Sequence, residues 1–116
     1  MIEKSVIDNI AIIHLVNTTK VNAINSDTIL QVLEQNIQVH DGLVFNLESV
    51  GYFDSTGFNM LLRIYDKARK LGKRVVLTGI SNELMGLFQI TKLNTVFEIY
   101  SDNTQAINQL KNQKNQ

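Results

Sequence analysis

With eleven basic and eleven acidic side chains, this 116-residue chain has no formal net charge and lacks the broad positive field by which nucleic-acid binders hold phosphate backbones. It has no cysteine, which excludes disulfides and thiolate metal sites, and its two histidines, His14 and His40, lie too far apart in sequence for a local metal pair. The length suits one domain burying about two-thirds of its unfolded surface, and the absence of a signal-like N-terminus or of an apolar run near the roughly 20 residues that cross a bilayer leads us to expect a cytoplasmic protein with no membrane insertion.

Proline is absent, so strands and helices must be ended by Gly, Asn, Asp and Ser. The chain opens with a short strand over Glu3 to Ile7, a turn at Asp8-Asn9 and a second strand over Ile10 to Val16, which together predict a β-hairpin at a sheet edge. His14 falls in phase with Ile10, Ile12 and Val16 and reads as a partly exposed strand histidine. Asn17 to Asn25 is polar and rich in turn formers, and Ser26-Asp27 starts a helix that runs to about Gln38 on the stripe Ile29, Leu30, Leu33 and Ile37. His40-Asp41-Gly42 closes it, and Leu43 to Leu47 is a buried strand.

A second helix is expected from about Ser55 to Leu71. Its apolar positions are Phe58, Leu61, Leu62, Tyr65, Ala68 and Leu71, its polar face is Asn59, Arg63, Asp66, Lys67 and Lys70, and Gly72 is its stop. Arg74 to Thr78 is the next strand. Ser81-Asn82 turns into a third helix carrying Leu84, Leu87 and Phe88, Val96 to Tyr100 is a last strand, and Ser101 to Thr104 caps a final helix with Ala106, Ile107 and Leu110 inward. The domain is expected over 1–110, with a frayed polar tail over 111–116. Alternating strands and helices predict an α/β domain with a mixed, mostly parallel sheet, the N-terminal hairpin and about four helices.

The stretch that organises this pattern is Gly51-Tyr52-Phe53-Asp54-Ser55-Thr56-Gly57-Phe58, a strand-to-helix turn. Asp54 and Ser55 are both good N-cap types, and Gly57 is expected to keep the approach to the turn open. The hydroxyls of Ser55 and Thr56 sit where the first helical turn offers free N–H groups and positive partial charge, so a phosphate there would be stabilised. On local chemistry the turn reads either as a plain cap or as a phosphate acceptor. A nucleophilic serine is not supported, because no G-x-S-x-G elbow is present and neither histidine has an evident role as its base. No acid–base pair, metal set or cofactor motif occurs, so no enzyme, cofactor or resident metal is expected.

Phe53-Asp54-Ser55-Thr56-Gly57-Phe58 after the strand Leu43 to Leu47, then Leu61-Leu62, Gly72-Lys73-Arg74-Val75-Val76-Leu77, Leu87-Phe88, Thr91-Lys92-Leu93 and Val96 to Tyr100, resembles the STAS domain of bacterial anti-sigma factor antagonists. The likeness covers nearly the whole chain, through Ala106. It implies a non-enzymatic partner switch in transcription regulation. Unphosphorylated, the protein would bind an anti-sigma factor that is also an ATP-dependent serine kinase; phosphorylated on Ser55, with Thr56 as the alternative acceptor, it would let go. A PP2C-type phosphatase would restore it. Helical spacing suggests a partner-binding surface of Asp54, Ser55, Thr56, Gly57, Asn59, Met60 and Arg63, Met60 being equally readable as core. Family members often carry Gly and Asp within the loop that is Asn17 to Asn25 here, Gly at the position of Lys92, and Leu-Gly in place of Phe58-Asn59. The alternative is a constitutive STAS binding subunit of a transporter or signalling complex, with Ser55 serving only as a cap.

Overall fold

The computed structural model describes residues 1–114. Strands β1 (Ile2–Ile7) and β2 (Ile10–Leu15) form the expected antiparallel hairpin. Asp8 (φ 52°) and Asn9 (φ 62°) are both left-handed, as a two-residue turn matching the strand twist requires. The two-residue strand β3 (Lys20–Val21) follows, then α1 (Ser26–Val39), β4 (Gly42–Asn46), a second two-residue strand β5 (Tyr52–Phe53), α2 (Ser55–Lys70), β6 (Arg74–Thr78), α3 (Asn82–Thr91), β7 (Glu98–Tyr100) and α4 (Asn103–Lys114). The main sheet has the order β1-β2-β4-β6-β7, with β2, β4, β6 and β7 parallel. The expected tail begins inside α4, which runs on to Lys114, and residues 115 and 116 of that tail lie outside the described residues.

Strand alternation divides the core in two. Ile13, Leu15, Leu43, Phe45, Val75 and Leu77 point to one side and are covered by α1, α2 and α3. Ile10, Ile12, Val44 and Val76 point to the other and are covered by Ala106, Ile107 and Leu110 of α4. Since β4 is buried along both faces, it reads in sequence as a continuous apolar run. At the far edge Arg74 Nε donates to Glu98 Oε2 (2.8 Å), tying β6 to β7, and the Tyr100 hydroxyl donates to Glu98 Oε1 (3.0 Å) within β7.

Three elements differ from the sequence expectation. The stretch expected as a strand from Val96 begins only at Glu98, because a 3₁₀ turn over Leu93–Thr95 precedes it. Helix α2 faces the core with Gly57, Met60, Leu61, Ile64 and Ala68, while Leu62 and Leu71 are exposed. Residues 17–25 also contain a strand: β3 pairs in parallel with β5, forming a small second sheet. Gly51 N–H donates to the Thr19 carbonyl (2.9 Å) and Asp54 N–H to the Val21 carbonyl (3.1 Å), so this sheet fixes the entry to α2.

Lys92 ends α3 in the left-handed conformation at φ 61°. A side chain there crowds the following carbonyl, whereas glycine does not. Lys92→Gly should therefore raise stability by up to about 1 kcal/mol, after glycine's larger unfolded-state entropy is subtracted. Urea denaturation would read the difference; a clear loss of stability would contradict the conformational argument.

Candidate functional site

The site is built where β5 hands the chain to α2. Asp54 is the N-cap of α2, in an extended conformation, and Ser55 is the first helical residue. Asp54 Oδ1 accepts from Thr56 N–H (2.9 Å) and Gly57 N–H (3.1 Å), and the Thr56 hydroxyl donates to the same oxygen. Phe58 N–H donates to the Asp54 carbonyl (3.1 Å). Of the two expected cap types, Asp54 does the capping and Ser55 does not. Ser55 is exposed, and its hydroxyl makes no hydrogen bond among the described residues. Thr56 is half-buried with its hydroxyl committed to Asp54, which separates two side chains that local chemistry alone leaves equivalent.

Gly57 does something other than keep the approach open. A Cβ there would lie 2.9 Å from the Phe53 ring and 2.9 Å from the Val21 carbonyl, so the glycine lets α2 press against the β3–β5 sheet. Phe53, Phe58 and Phe88 fill the space behind it, with ring centroids 5.4 to 6.2 Å apart. A rigid aromatic base thus supports the exposed turn.

The candidate surface residues are only partly brought together. Ser55 and Asn59 are exposed on one side of α2, Arg63 follows a turn later, and Thr56 and Asn59 line a groove of about 270 Å³ with Ala23 and Asp27 of the α1 entry. Met60 is withdrawn from the expected contact surface: it is 2% exposed and packs in the core beneath the groove. His14 and His40 lie apart from the turn. His14 is on β2 with Nδ1 3.9 Å from Glu3 Oε1, and His40 caps the end of α1 with its ring against the Asn36 carbonyl (2.9 Å). Among the described residues no His, Asp and Glu side chains gather as a metal set, and no helix is long and apolar enough to cross a membrane.

The charge at the turn has a definite sense. The Thr56 hydroxyl, followed by the N–H groups of Gly57, Thr56 and Ala23, holds the Asp54 carboxyl below the usual carboxylate range, against a smaller opposing effect of burial. A lowered folded-state pKa gives stability that is present above the ordinary value of 3.8 and lost as pH falls through the lower folded value. Thermal melts of wild type and Asp54→Asn should therefore differ most above about pH 4 and converge in stronger acid. A gap that widened on acidification would contradict this assignment.

Asp54 already accepts from the Thr56 and Gly57 amides, so the start of α2 carries a fixed carboxylate beside Ser55.

Residues 1–106 match the family profile described as the STAS domain. A protein described as anti-sigma-B factor antagonist, from Listeria monocytogenes serovar 1/2a, is 32% identical over 82 residues, covering 69% of this chain and 71% of that one. Among solved structures, an anti-sigma-factor antagonist (STAS) domain protein from Planctomyces limnophilus superposes with a TM-score of 0.82 at 17% identity, covering 94% of this chain and 96% of that one. The Bacillus cell fate determinant SpoIIAA in its phosphorylated form superposes with a TM-score of 0.70 at 17% identity, covering 94% and 98%. The structural likenesses carry the fold; the profile and the Listeria relative carry the family.

Proposed function

Since the chain belongs to the STAS domain family, we propose that it is an anti-sigma factor antagonist, a binding protein and not an enzyme, switched by phosphorylation of Ser55. In the unphosphorylated state its Ser55 surface binds an anti-sigma factor that is also a serine kinase, which frees the sigma factor. The kinase transfers the γ-phosphoryl of ATP to Ser55 Oγ, the hydroxyl proton leaves, and ADP is released. A PP2C-type phosphatase hydrolyses the ester to inorganic phosphate and restores the hydroxyl. The cycle runs in the cytoplasm, with no nucleic acid and no resident cofactor involved.

The observation that carries this reading is the pairing of a free, exposed Ser55 hydroxyl with a neighbouring carboxylate fixed by its hydrogen bonds. A phosphoserine brings about −1.5 to −2 charges at neutral pH. Beside Asp54, and under a bound partner, that charge is both repelled and costly to bury, so the complex opens. The phosphate lies outside the core, which leaves the released protein folded.

Phosphorylation by the anti-sigma factor kinases of the source organism, with ATP and peptide mapping, tests the acceptor. One phosphate on Ser55, abolished by Ser55→Ala and retained by Thr56→Val, is the expected result. Undiminished labelling of Ser55→Ala at another position would overturn it. Labelling of neither hydroxyl would favour a constitutive binding subunit.

A further inference from the structure

We propose that Ile24 and Leu62 are the apolar anchors by which the kinase that phosphorylates Ser55 holds this chain; the inference rests on the phosphorylation switch above and names the contacts it uses. Ile24 is 90% exposed, the highest value among the exposed large hydrophobic side chains. It is not a loose loop residue. Its N–H donates to Asn22 Oδ1 (3.0 Å), Asn22 N–H donates to Asn25 Oδ1 (2.9 Å), and Asn25 Nδ2 donates to the Lys20 carbonyl (2.9 Å). The N–H of the preceding residue, Ala23, reaches the Asp54 carboxylate. The α1 entry is therefore fastened to the cap of α2, and Ile24, the next residue after Ala23, is held in solvent on the entry that borders the turn.

Leu62 belongs to the same surface from the other side. It stands seven residues after Ser55 and three after Asn59, which places all three along one face of α2, with Leu62 about 10 Å down the axis from Ser55. It is 41% exposed, outside the core that takes Leu61 and Ile64. Ser55, Thr56 and Asn59 are polar but uncharged, the capping Asp54 carboxylate stands next to Ser55, and Asp27 and Arg63 flank the groove. Apolar side chains set among mostly uncharged polar groups are the usual make-up of a protein interface.

The occupant follows from geometry. A kinase that brings its active site onto Ser55 Oγ buries about 800 Å² on its substrate, a disc of about 16 Å radius, which takes in both side chains. Burying a side chain as exposed as Ile24 is worth about 10- to 100-fold in affinity, and burying the exposed 41% of Leu62 about three- to eightfold. Ile24 and Leu62 take no part in phosphoryl transfer, so their loss should appear in KM and leave kcat nearly unchanged.

The test uses the full chain with the purified anti-sigma factor kinases of the source organism and ATP. Initial rates are compared for wild type, Ile24→Asn, Leu62→Asn and Val39→Asn. Val39 is also exposed but ends α1, about 20 Å along that helix from its start. Circular dichroism and melting establish that each variant is folded, and Ile24→Ala and Leu62→Ala replace any that is not. The expected result is a KM raised about tenfold or more for the Ile24 variant and about three- to eightfold for the Leu62 variant, kcat within about twofold, and Val39→Asn like wild type. Unchanged KM values with Ser55 still labelled would overturn the anchors and leave the switch standing. A rise of the same size for Val39→Asn would also overturn them, since the effect would then belong to no particular surface. Failure of every kinase to label wild-type Ser55 would contradict the switch and the anchors together.

Discussion

Replacing Leu61 with alanine should destabilise the domain by about 2–5 kcal/mol, while the same change at Leu62 should cost less than about 0.5 kcal/mol. The two leucines are adjacent in sequence and opposite in environment: Leu61 is fully buried in the core cluster on the inner face of α2, and Leu62 is 41% exposed. Deleting Leu61 removes the transfer energy of its side chain and leaves a void that the surrounding core side chains cannot fill without leaving their own packing. Deleting Leu62 removes atoms that water already touches. Urea denaturation of the two variants, at constant m-value, measures the contrast. Equal losses would mean that α2 is rotated from the orientation described.

Ser55→Asp should weaken binding to the anti-sigma factor, with an upper range of about 2–5 kcal/mol, and Ser55→Ala should bind like wild type. A carboxylate at position 55 stands beside the Asp54 carboxylate, which the amides of Thr56 and Gly57 hold in place and in its charged form. Aspartate carries less charge than a phosphoserine, so the effect falls toward the lower end of that range. Because Ser55 is exposed and is not the cap, neither variant should lose appreciable fold stability, and the effect on binding can be read without a folding correction. Loss of binding by Ser55→Ala alone would indicate that the hydroxyl is itself a contact.

The sequence made the order of elements legible because each apolar run matches one period. β4 is a continuous run, the hairpin alternates about Asp8-Asn9, and α4 presents Ala106, Ile107 and Leu110 at helical spacing. The orientation of α2 was not legible, since apolar residues occupy Phe58, Met60, Leu61, Leu62, Ile64, Tyr65, Ala68 and Leu71. That arc is wider than one face, and only docking decides which part is buried. Gly57 carried the missing signal: a residue without a side chain marks the face that presses on Phe53 and Val21. The β3–β5 pair was hidden because two-residue strands have no period. That pair, with the Asn22–Asn25 turn, holds the polar loop against the start of α2, an arrangement no local periodicity announces. The cap was legible as a type but not as a residue, Asp54 and Ser55 being distinguished only by the extended backbone of Asp54.

The most direct test of the switch is titration calorimetry of the anti-sigma factor with the unphosphorylated protein and with the same protein carrying one phosphate on Ser55. The switch predicts a measurable complex for the first and an affinity lowered by about 30-fold or more for the second, with circular dichroism unchanged between the two. Equal affinities for the two forms would contradict it and leave Ser55 as an exposed residue at the start of a capped helix.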